Sequence, residues 1–224
     1  GFFSALELSA GDAVWIPFAI GMRAFLNVGL FISAHDAMHG TLYPKSPKVN
    51  HGLGAIAVGL YAGFSYKALL REHHKHHNLS GTLEDPDFAD SYEHGFLRWF
   101  ISFIAGYCSL AQLTRIFSMI VAMLLMGIGP LQISLFWVVP ALLSAVQLFY
   151  FGTYRPHRIE AEDFEDEHRA RSSQLGNIYS FLTCYHFGYH LEHHRYPWVP
   201  WWALPKVRGE SASLGLATVS RVDK

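Results

Sequence analysis

The chain has 224 residues, of which 51% are hydrophobic and 16% are charged, with a formal net charge of −1. Soluble proteins contain roughly 25% charged residues, and a balanced charge excludes the basic surface that nucleic-acid binding needs. The two cysteines form no C-x-x-C pair, so no thiol metal site or disulfide framework is expected. Long apolar runs instead predict an all-α integral membrane protein, with residues 1–224 forming a single domain.

The first apolar run, residues 13–34, is long enough for a helix to cross the roughly 30 Å hydrocarbon core of a bilayer. Arg23 lies in its middle. A charge there costs at least about 2.5–3.5 kcal/mol, so its side chain is expected to face protein or water. The run ends in H-D-A-M-H, with His35 and His39 four residues apart. This first pair is therefore predicted at the membrane surface, where the helix ends.

The next apolar run, residues 52–66, has only fifteen residues and precedes a second histidine cluster, H-H-K-H-H. A full crossing would put His39 and His73 on opposite faces of the membrane, where they could not share a metal. We therefore predict a re-entrant or interfacial helix, which the short length also favours. Within this cluster the spacing H-x-x-H-H selects His73, His76 and His77.

The apolar residues between 95 and 152 are predicted to contain two crossings. Residues before 110 are interrupted by charge and are expected to lie along the membrane surface, whereas 110–129 and 131–152 are predicted to span it. Pro140 is expected to bend the last of these helices. His157 follows it, and the number of crossings places this residue on the same side as the first two clusters.

The third histidine cluster lies in residues 183–205, T-C-Y-H-F-G-Y-H-L-E-H-H-R-Y-P-W-V-P-W-W-A-L-P. On a helix, His190, His193 and His194 share one face, with His186 one turn earlier on that face. The three tryptophans that follow are typical of the aromatic belt at a membrane interface. The tail beyond residue 205 is polar and is expected to be poorly ordered.

Basic residues mark the predicted histidine side of the membrane, whereas the turn at 127–131 has none. The basic residues on that side are Lys45, Lys48, Lys67, Arg71, Lys75, Arg155, Arg158, Arg169 and Arg171. The positive-inside rule then places the histidines on the cytoplasmic side of the inner membrane. His168 lies in the charged loop 160–171, and we interpret it as a solvated residue without a role in the site.

Nine histidines can meet on that side, which is more than one metal ion can use, since zinc usually takes four ligands. They are His35, His39, His73, His76, His77, His157, His190, His193 and His194. The number fits two metal ions. The lack of H-E-x-x-H argues against a zinc protease, and histidines at helix ends argue against a haem held within the bilayer. The repeated H-x-x-H-H spacing disfavours a tag or an accidental surface cluster.

The sequence motifs around these histidines resemble those of one protein family. H-D-A-M-H-G-T-L-Y-P-K-S-P-K-V-N, the D-P-D-F after the second cluster, F-G-T-Y-R-P-H-R and the third cluster are similar to the bacterial and cyanobacterial β-carotene ketolases. Those proteins belong to the superfamily of membrane-bound desaturases and hydroxylases. The resemblance covers the chain from Leu30 to Pro205. Members of the family carry a further transmembrane helix upstream, which we expect to be missing from this chain.

The resemblance implies a non-haem centre of two iron ions held by the nine histidines. His186 lies in a family motif but is surplus to the nine, so we expect it to support a ligand or, failing that, to be a tenth ligand. Asp85 and Asp87 could accept hydrogen bonds from ligating histidines, although a proline-centred turn explains them equally well. Other acids beside the clusters are Asp36, Glu72 and Glu192.

The implied reaction is oxidation of C4 of a β-ionone ring to a ketone, by two O₂-dependent hydroxylations and loss of water. The electrons must come from outside, because the chain has no G-x-G-x-x-G motif, and ferredoxin with its reductase is the expected donor. The carotenoid is expected to enter from the membrane lipid through an aromatic slot. One or two residues of this slot are expected among Tyr150, Phe151, Tyr154, Tyr185, Phe187 and Tyr189.

Two other kinds of function stay open at this stage. Histidine clusters alone do not separate a ketolase from a carotenoid hydroxylase or a fatty-acyl desaturase on the same scaffold. Outside the enzymes, the alternative is a membrane protein that binds or transports metal. Such a protein needs acidic or histidine residues along its membrane spans, whereas this chain has its histidines at the ends of the apolar runs.

Overall fold

The computed structural model describes residues 10–88, 91–159 and 164–213, and within these ranges the chain contains helices and no strands. The main helices are α1 (Ile16–Met38), α2 (Pro47–Ala62), α3 (Tyr66–Leu79), α4 (Ser91–Tyr107), α5 (Leu110–Leu125), α6 (Pro130–His157), α7 (Asn177–Cys184), α8 (His190–Arg195) and α9 (Leu204–Ser213). The predicted all-helical class is therefore confirmed for the described part of the chain.

Within the part of the chain that the structure describes, two helices are long and apolar enough to cross a membrane on their own. Helix α1 has 23 residues, or about 35 Å, and α6 has 28 residues, or about 42 Å. They correspond to the predicted first and third spans. Both carry a histidine at their C-terminal ends, His35 in the last turn of α1 and His157 as the last residue of α6. The two helices therefore point the same end towards the histidines.

Helices α2 and α3 form a bent pair that leaves the end of α1 and comes back to it. They meet at an angle of 100° across Gly63, which ends α2 in the left-handed conformation that glycine adopts without strain. At the start of the pair, Asn50 Nδ2 donates to Ala37 O at 2.7 Å. On α3, His73 Nε2 lies 2.6 Å from His39 Nε2. This path agrees with the prediction for residues 52–66, although the helix begins earlier, at residue 47.

Helices α4 and α5 form a second bent pair, with an angle of 89° between them. The bend lies at Ser109, whose side chain accepts a hydrogen bond from Gln112 N and so caps the start of α5. The helix found within the predicted span 110–129 is shorter than that prediction. Helix α5 ends at Leu125 because Gly127 takes a left-handed conformation, and its 16 residues reach only about 24 Å. Spanning length is reached only by α4 and α5 together.

Helix α6 contains two wider turns with π-helical winding, at Ser134–Val138 and Tyr150–Tyr154. The first lies just before Pro140, whose ring would collide with the carbonyl four residues earlier in a regular α-helix. The local disruption predicted at Pro140 thus takes the form of a π turn within a continuous helix. The second π turn comes immediately before His157. Such turns are frequent at functional sites.

Arg23 lies on the exposed face of α1 and pairs with no residue that the structure describes, so its expected contact with protein or water stays a prediction. One expectation about the C-terminal end of the fold needs correction. The chain after residue 205 is helical as far as residue 213, because Arg208 Nη1 donates to Glu192 Oε1 at 2.8 Å and its guanidinium stacks on Tyr189. The prediction for residues after 213 lies outside the described ranges.

Candidate metal centre

The structure brings all nine predicted histidines together, in two groups. Within each group the candidate ligand nitrogens lie within 4.8 Å of one another. The larger group consists of His35, His39, His73, His77 and His193. The smaller group consists of His76, His157, His190 and His194, all of them buried. The chain thus offers two separate positions for a metal ion, as the count of nine suggested.

The two H-x-x-H-H motifs each contribute to both groups, in opposite proportions. Helix α3 gives His73 and His77 to the larger group and His76 to the smaller one. Helix α8 gives His190 and His194 to the smaller group and His193 to the larger one. Residues four apart lie one above the other on a helix, whereas the residue between them is rotated to the side. Because of the repeated spacing, both helices supply histidines to both groups, and the two groups lie side by side.

The ring nitrogens have the arrangement that metal ions require. Four pairs of Nε2 atoms approach each other directly: His39–His73 at 2.6 Å, His77–His193 at 3.0 Å, His190–His194 at 3.1 Å and His76–His194 at 3.2 Å. In addition, Nε2 of His35 and of His157 is buried without a hydrogen-bond partner among the described residues. Burying unpaired polar atoms is costly, and cations between these nitrogens would remove that cost. The donor set fits two ions of a first-row transition metal such as iron.

The electrostatics keep the three histidines of α8 in the form that binds metal. Burial lowers the pKa of His190, His193 and His194 well below its ordinary value, and neighbouring histidines lower it further. The three imidazoles are therefore neutral at pH 7, and neutral imidazole is the form that binds metal.

Two ligands of the smaller group use their second ring nitrogen to fix the ring. His76 Nδ1 donates to the carboxylate of Asp85, at 2.9 Å from Oδ1 and 3.0 Å from Oδ2. His157 Nδ1 donates to Arg169 O at 2.8 Å. Each bond holds the proton on Nδ1 and so leaves Nε2 for the metal, which is the usual arrangement of ligating histidines.

The acidic turn combines both interpretations given to it from the sequence. Asp85 also accepts hydrogen bonds from Gly81 N and Asp87 N, both at 2.9 Å, so it closes the turn and supports His76. Burial favours a higher pKa for Asp85, but the hydrogen bond and charge of His76 together with the hydrogen bonds from Asp87 N and Gly81 N outweigh burial, and the pKa falls below its ordinary value. Asp87 accepts a hydrogen bond from Tyr107 Oη, and burial raises its pKa.

Replacing Asp85 with alanine is expected to lower the affinity of the smaller group for metal about 10–100-fold, because His76 loses the partner that fixes its ring and its proton. The measurement is a titration of metal-depleted protein with ferrous iron. Glu84→Ala is the matched control, since the exposed Glu84 precedes Asp85 in the same turn. Equal affinities in Asp85→Ala and the wild type would contradict the role given to Asp85.

The prediction that His186 lies one helical turn before His190 is wrong. Helix α7 ends at Cys184, and Tyr185 and His186 both have positive φ values, 49° and 61°, so His186 does not share a helix with His190. Its ring stacks on Tyr189 and Trp201, with centroids 5.6 Å and 6.2 Å away. His186 belongs to neither histidine group, and its expected support of a ligand stays a prediction.

Four other side chains near the clusters also have defined places. Asp36 Oδ2 accepts from Trp201 N at 3.1 Å, Glu72 pairs with Arg71, and Glu192 pairs with Arg208. His168 is half-buried, with its ring 6.0 Å from that of His194, and it belongs to neither group.

A cavity of about 400 Å³ leads to the two groups, and its wall is mostly apolar. His35, His73, His76 and His190 form part of this wall. Of the six aromatic residues proposed from the sequence, Phe187 alone lines the cavity. This agrees with the expectation of one or two lining residues from that set. Other aromatic residues line the cavity beside Phe187, among them Phe31, Phe103, Trp137 and Phe149.

The structure explains why glycine occupies position 152 in the motif F-G-T-Y before His157. A side chain at this position would collide with the ring of Phe187. That ring packs edge-on against His35 and His190, with centroids 4.8 Å and 5.1 Å away. The glycine therefore lets α6 approach the floor of the cavity, where one aromatic ring contacts both histidine groups.

Comparison with known proteins agrees with this geometry. Residues 13–118 and 107–216 match the family model described as "Fatty acid desaturase". The chain belongs to the fatty acid desaturase family. The two matched ranges include all nine histidines of the metal centre.

The curated relatives of this desaturase-family chain include ketolases. A "Beta-carotene ketolase" of Paracoccus sp. strain PC1 is 46% identical over 186 residues, covering 82% of this chain and 75% of the relative. A second, from Paracoccus sp. strain N81106, is 44% identical over 206 residues, covering 91% and 83%. A "Zeaxanthin 4-ketolase" of Chlamydomonas reinhardtii is 42% identical over 196 residues, covering 86% of this chain and 44% of that longer protein. The resemblance of the sequence motifs to those of the β-carotene ketolases is thereby confirmed.

Proposed function

We propose that this chain is a carotenoid 4-ketolase, which oxidises C4 of a β-ionone ring to a ketone at a non-haem centre of two iron ions. The observation that carries the proposal is the apolar cavity that ends at the two histidine groups. The identity of 42–46% to carotenoid ketolases supports the choice of substrate. A carotenoid end ring is apolar and dissolves in lipid, so an apolar cavity suits it.

The reaction consists of two oxidations at one carbon. In each, O₂, two electrons and two protons convert a C–H bond to C–OH and release one water; the resulting gem-diol then loses water to give the ketone. Iron held by the nine histidines would supply the activation of O₂. Neutral imidazoles would hold the metal without charge of their own. The hydrogen bonds that His76 Nδ1 donates to Asp85 and His157 Nδ1 donates to Arg169 O fix the two rings, and the apolar wall keeps water from the substrate ring.

The electrons come from an external donor in this proposal, because the sequence has no nucleotide-binding motif of its own. Ferredoxin with ferredoxin reductase is the proposed donor. The carotenoid enters from the lipid, so the protein works as an integral membrane enzyme with its histidines towards the cytoplasm.

Pigment extraction tests the reaction directly. Expression in cells that make β-carotene is expected to give pigments with one or two 4-keto end rings. Rings with a hydroxyl at C3 as the final product would instead identify a carotenoid hydroxylase, and new double bonds in the fatty acids would identify a desaturase. Unchanged pigments and lipids in cells that contain iron-loaded protein would favour the non-catalytic metal-binding alternative.

The proposed sidedness gives a prediction about topology. A reporter fused after Lys206 is expected to report the cytoplasm, and one inserted at Gly129 is expected to report the opposite side, because a single crossing by α6 separates them. An insertion at Gly59, on the bent pair of α2 and α3, is expected not to report the side of Gly129. Reporters after Lys206 and at Gly129 on one side would contradict the proposed topology.

A further inference from the structure

One carboxylate lies in the wall of the mostly apolar cavity, beside the smaller histidine group. Asp87 is the only acidic side chain among the described residues that line the cavity. Its side chain is 15% exposed, and its Oδ2 lies 3.8 Å from His76 Nδ1. A buried polar group without a hydrogen-bond partner is costly, so its place in the wall needs an explanation.

The contacts of Asp87 leave one of its oxygens available. Oδ1 accepts a hydrogen bond from Tyr107 Oη, and the side chain of Tyr107 also lines the cavity. Oδ2 accepts no hydrogen bond from the residues that the structure describes. Support of His76 does not explain this oxygen, because 3.8 Å is too long for a hydrogen bond and Asp85 already occupies His76 Nδ1.

β-Carotene contains no polar atom and therefore cannot use this acceptor. A hydroxyl group on the end ring can. The first oxidation creates a hydroxyl at C4, and a zeaxanthin ring carries one at C3, the neighbouring carbon. When C4 faces the histidine groups, both hydroxyls lie on the part of the ring that is closest to His76 and hence to Asp87.

We propose that Asp87, oriented by Tyr107, is a binding site for a hydroxyl group on the carotenoid end ring. The hydroxyl donates a hydrogen bond to Oδ2. The inference rests on the proposed function and deepens it, since it gives the chain a means to retain the 4-hydroxy ring for the second oxidation and to hold rings with a 3-hydroxyl group. In this role Tyr107 is a positioning residue, because it acts through Asp87.

The test uses membranes with the full chain, ferredoxin and its reductase, supplied with β-carotene in one arm and zeaxanthin in the other. With Tyr107→Phe, the ratio of 4-hydroxy to 4-keto product from β-carotene is expected to rise about three- to tenfold, the range expected for the loss of one hydrogen bond. The yield of ketone from zeaxanthin relative to that from β-carotene is expected to fall by a similar factor. A response in the first arm alone assigns the site to the C4 hydroxyl, and in the second arm alone to the C3 hydroxyl.

The control is Tyr179→Phe, which removes a phenol that is 68% exposed outside the cavity and leaves the contact between Tyr107 and Asp87. It is expected to keep the wild-type ratios. Iron content is measured for every variant. Asp87→Leu, which removes both oxygens, is expected to shift the ratios in the same direction and further.

Unchanged ratios in both arms with Tyr107→Phe would overturn the proposal, as would an equal fall of all products together with loss of iron. The second result would show that Tyr107 only maintains the structure. Absence of ketone with the wild-type chain in both arms would instead overturn the proposed function itself.

Discussion

Replacing His157 with alanine is expected to abolish ketone formation, with a fall of more than about 100-fold, and to lower the iron content from two ions per chain towards one. Loss of a hydrogen-bond partner of a ligand already costs 10–100-fold, and loss of the ligand itself removes more. His157 is 1% exposed, and its Nε2 faces the smaller group without a partner among the described residues. Iron per chain and pigments are measured on the same membranes.

The matched control is His168→Ala. His168 is also a histidine close to the smaller group, with its ring 6.0 Å from that of His194, but it belongs to neither group. It is expected to keep wild-type iron content and activity. Full iron and activity in His157→Ala would show that α6 contributes no ligand. The metal centre would then consist only of the first histidine pair and the second and third histidine clusters.

Filling the cavity is expected to separate substrate binding from metal binding. Ala145 lies on α6 in the cavity wall, away from the histidines in sequence. The indole ring of Ala145→Trp would occupy part of the 400 Å³ that the carotenoid ring needs. We expect ketone formation to fall to background while the iron content stays at the wild-type value. The measurements are ketone yield from β-carotene and iron per chain.

Leu143→Trp is the control for this substitution, since Leu143 lies on the same helix and 47% of it is exposed outside the cavity. Its ketone yield is expected to match that of the wild type. Normal ketone yield in Ala145→Trp would mean that the carotenoid reaches the histidines by another route. Loss of iron from Ala145→Trp would mean that the substitution disturbs the metal centre rather than the substrate.

Most of the grouping of the nine histidines could be predicted because these residues repeat at helical spacing. His73 and His77, four residues apart on α3, need only the local helix to share a face. His157 has no histidine three or four residues away. Its prediction as a ligand depended on the family motif F-G-T-Y-R-P-H-R and on the predicted number of membrane crossings. Helices α3 and α8 each contribute histidines to both groups. This distribution follows from tertiary packing, which the spacing within one helix does not predict.

The failures also have local causes. The position of His186 depends on the end of α7, where two successive residues without glycine adopt positive φ, a conformation that sequence patterns do not indicate. The aromatic residues proposed for the cavity all lie close to histidines in the sequence. Phe103 on α4 and Trp137 on α6 line the cavity although they are far from the histidines in the sequence. The helix after residue 204 is held by Arg208 bound to Glu192, a contact between separate segments.

The metal content of the purified protein tests the central claim most directly. Two histidine groups at the end of an apolar cavity are expected to hold two iron ions per chain, and ketone formation is expected to cease when ferrous iron is chelated or O₂ is removed. Re-addition of ferrous iron and O₂ is expected to restore it. One zinc ion per chain, or ketone formation without O₂, would contradict the account.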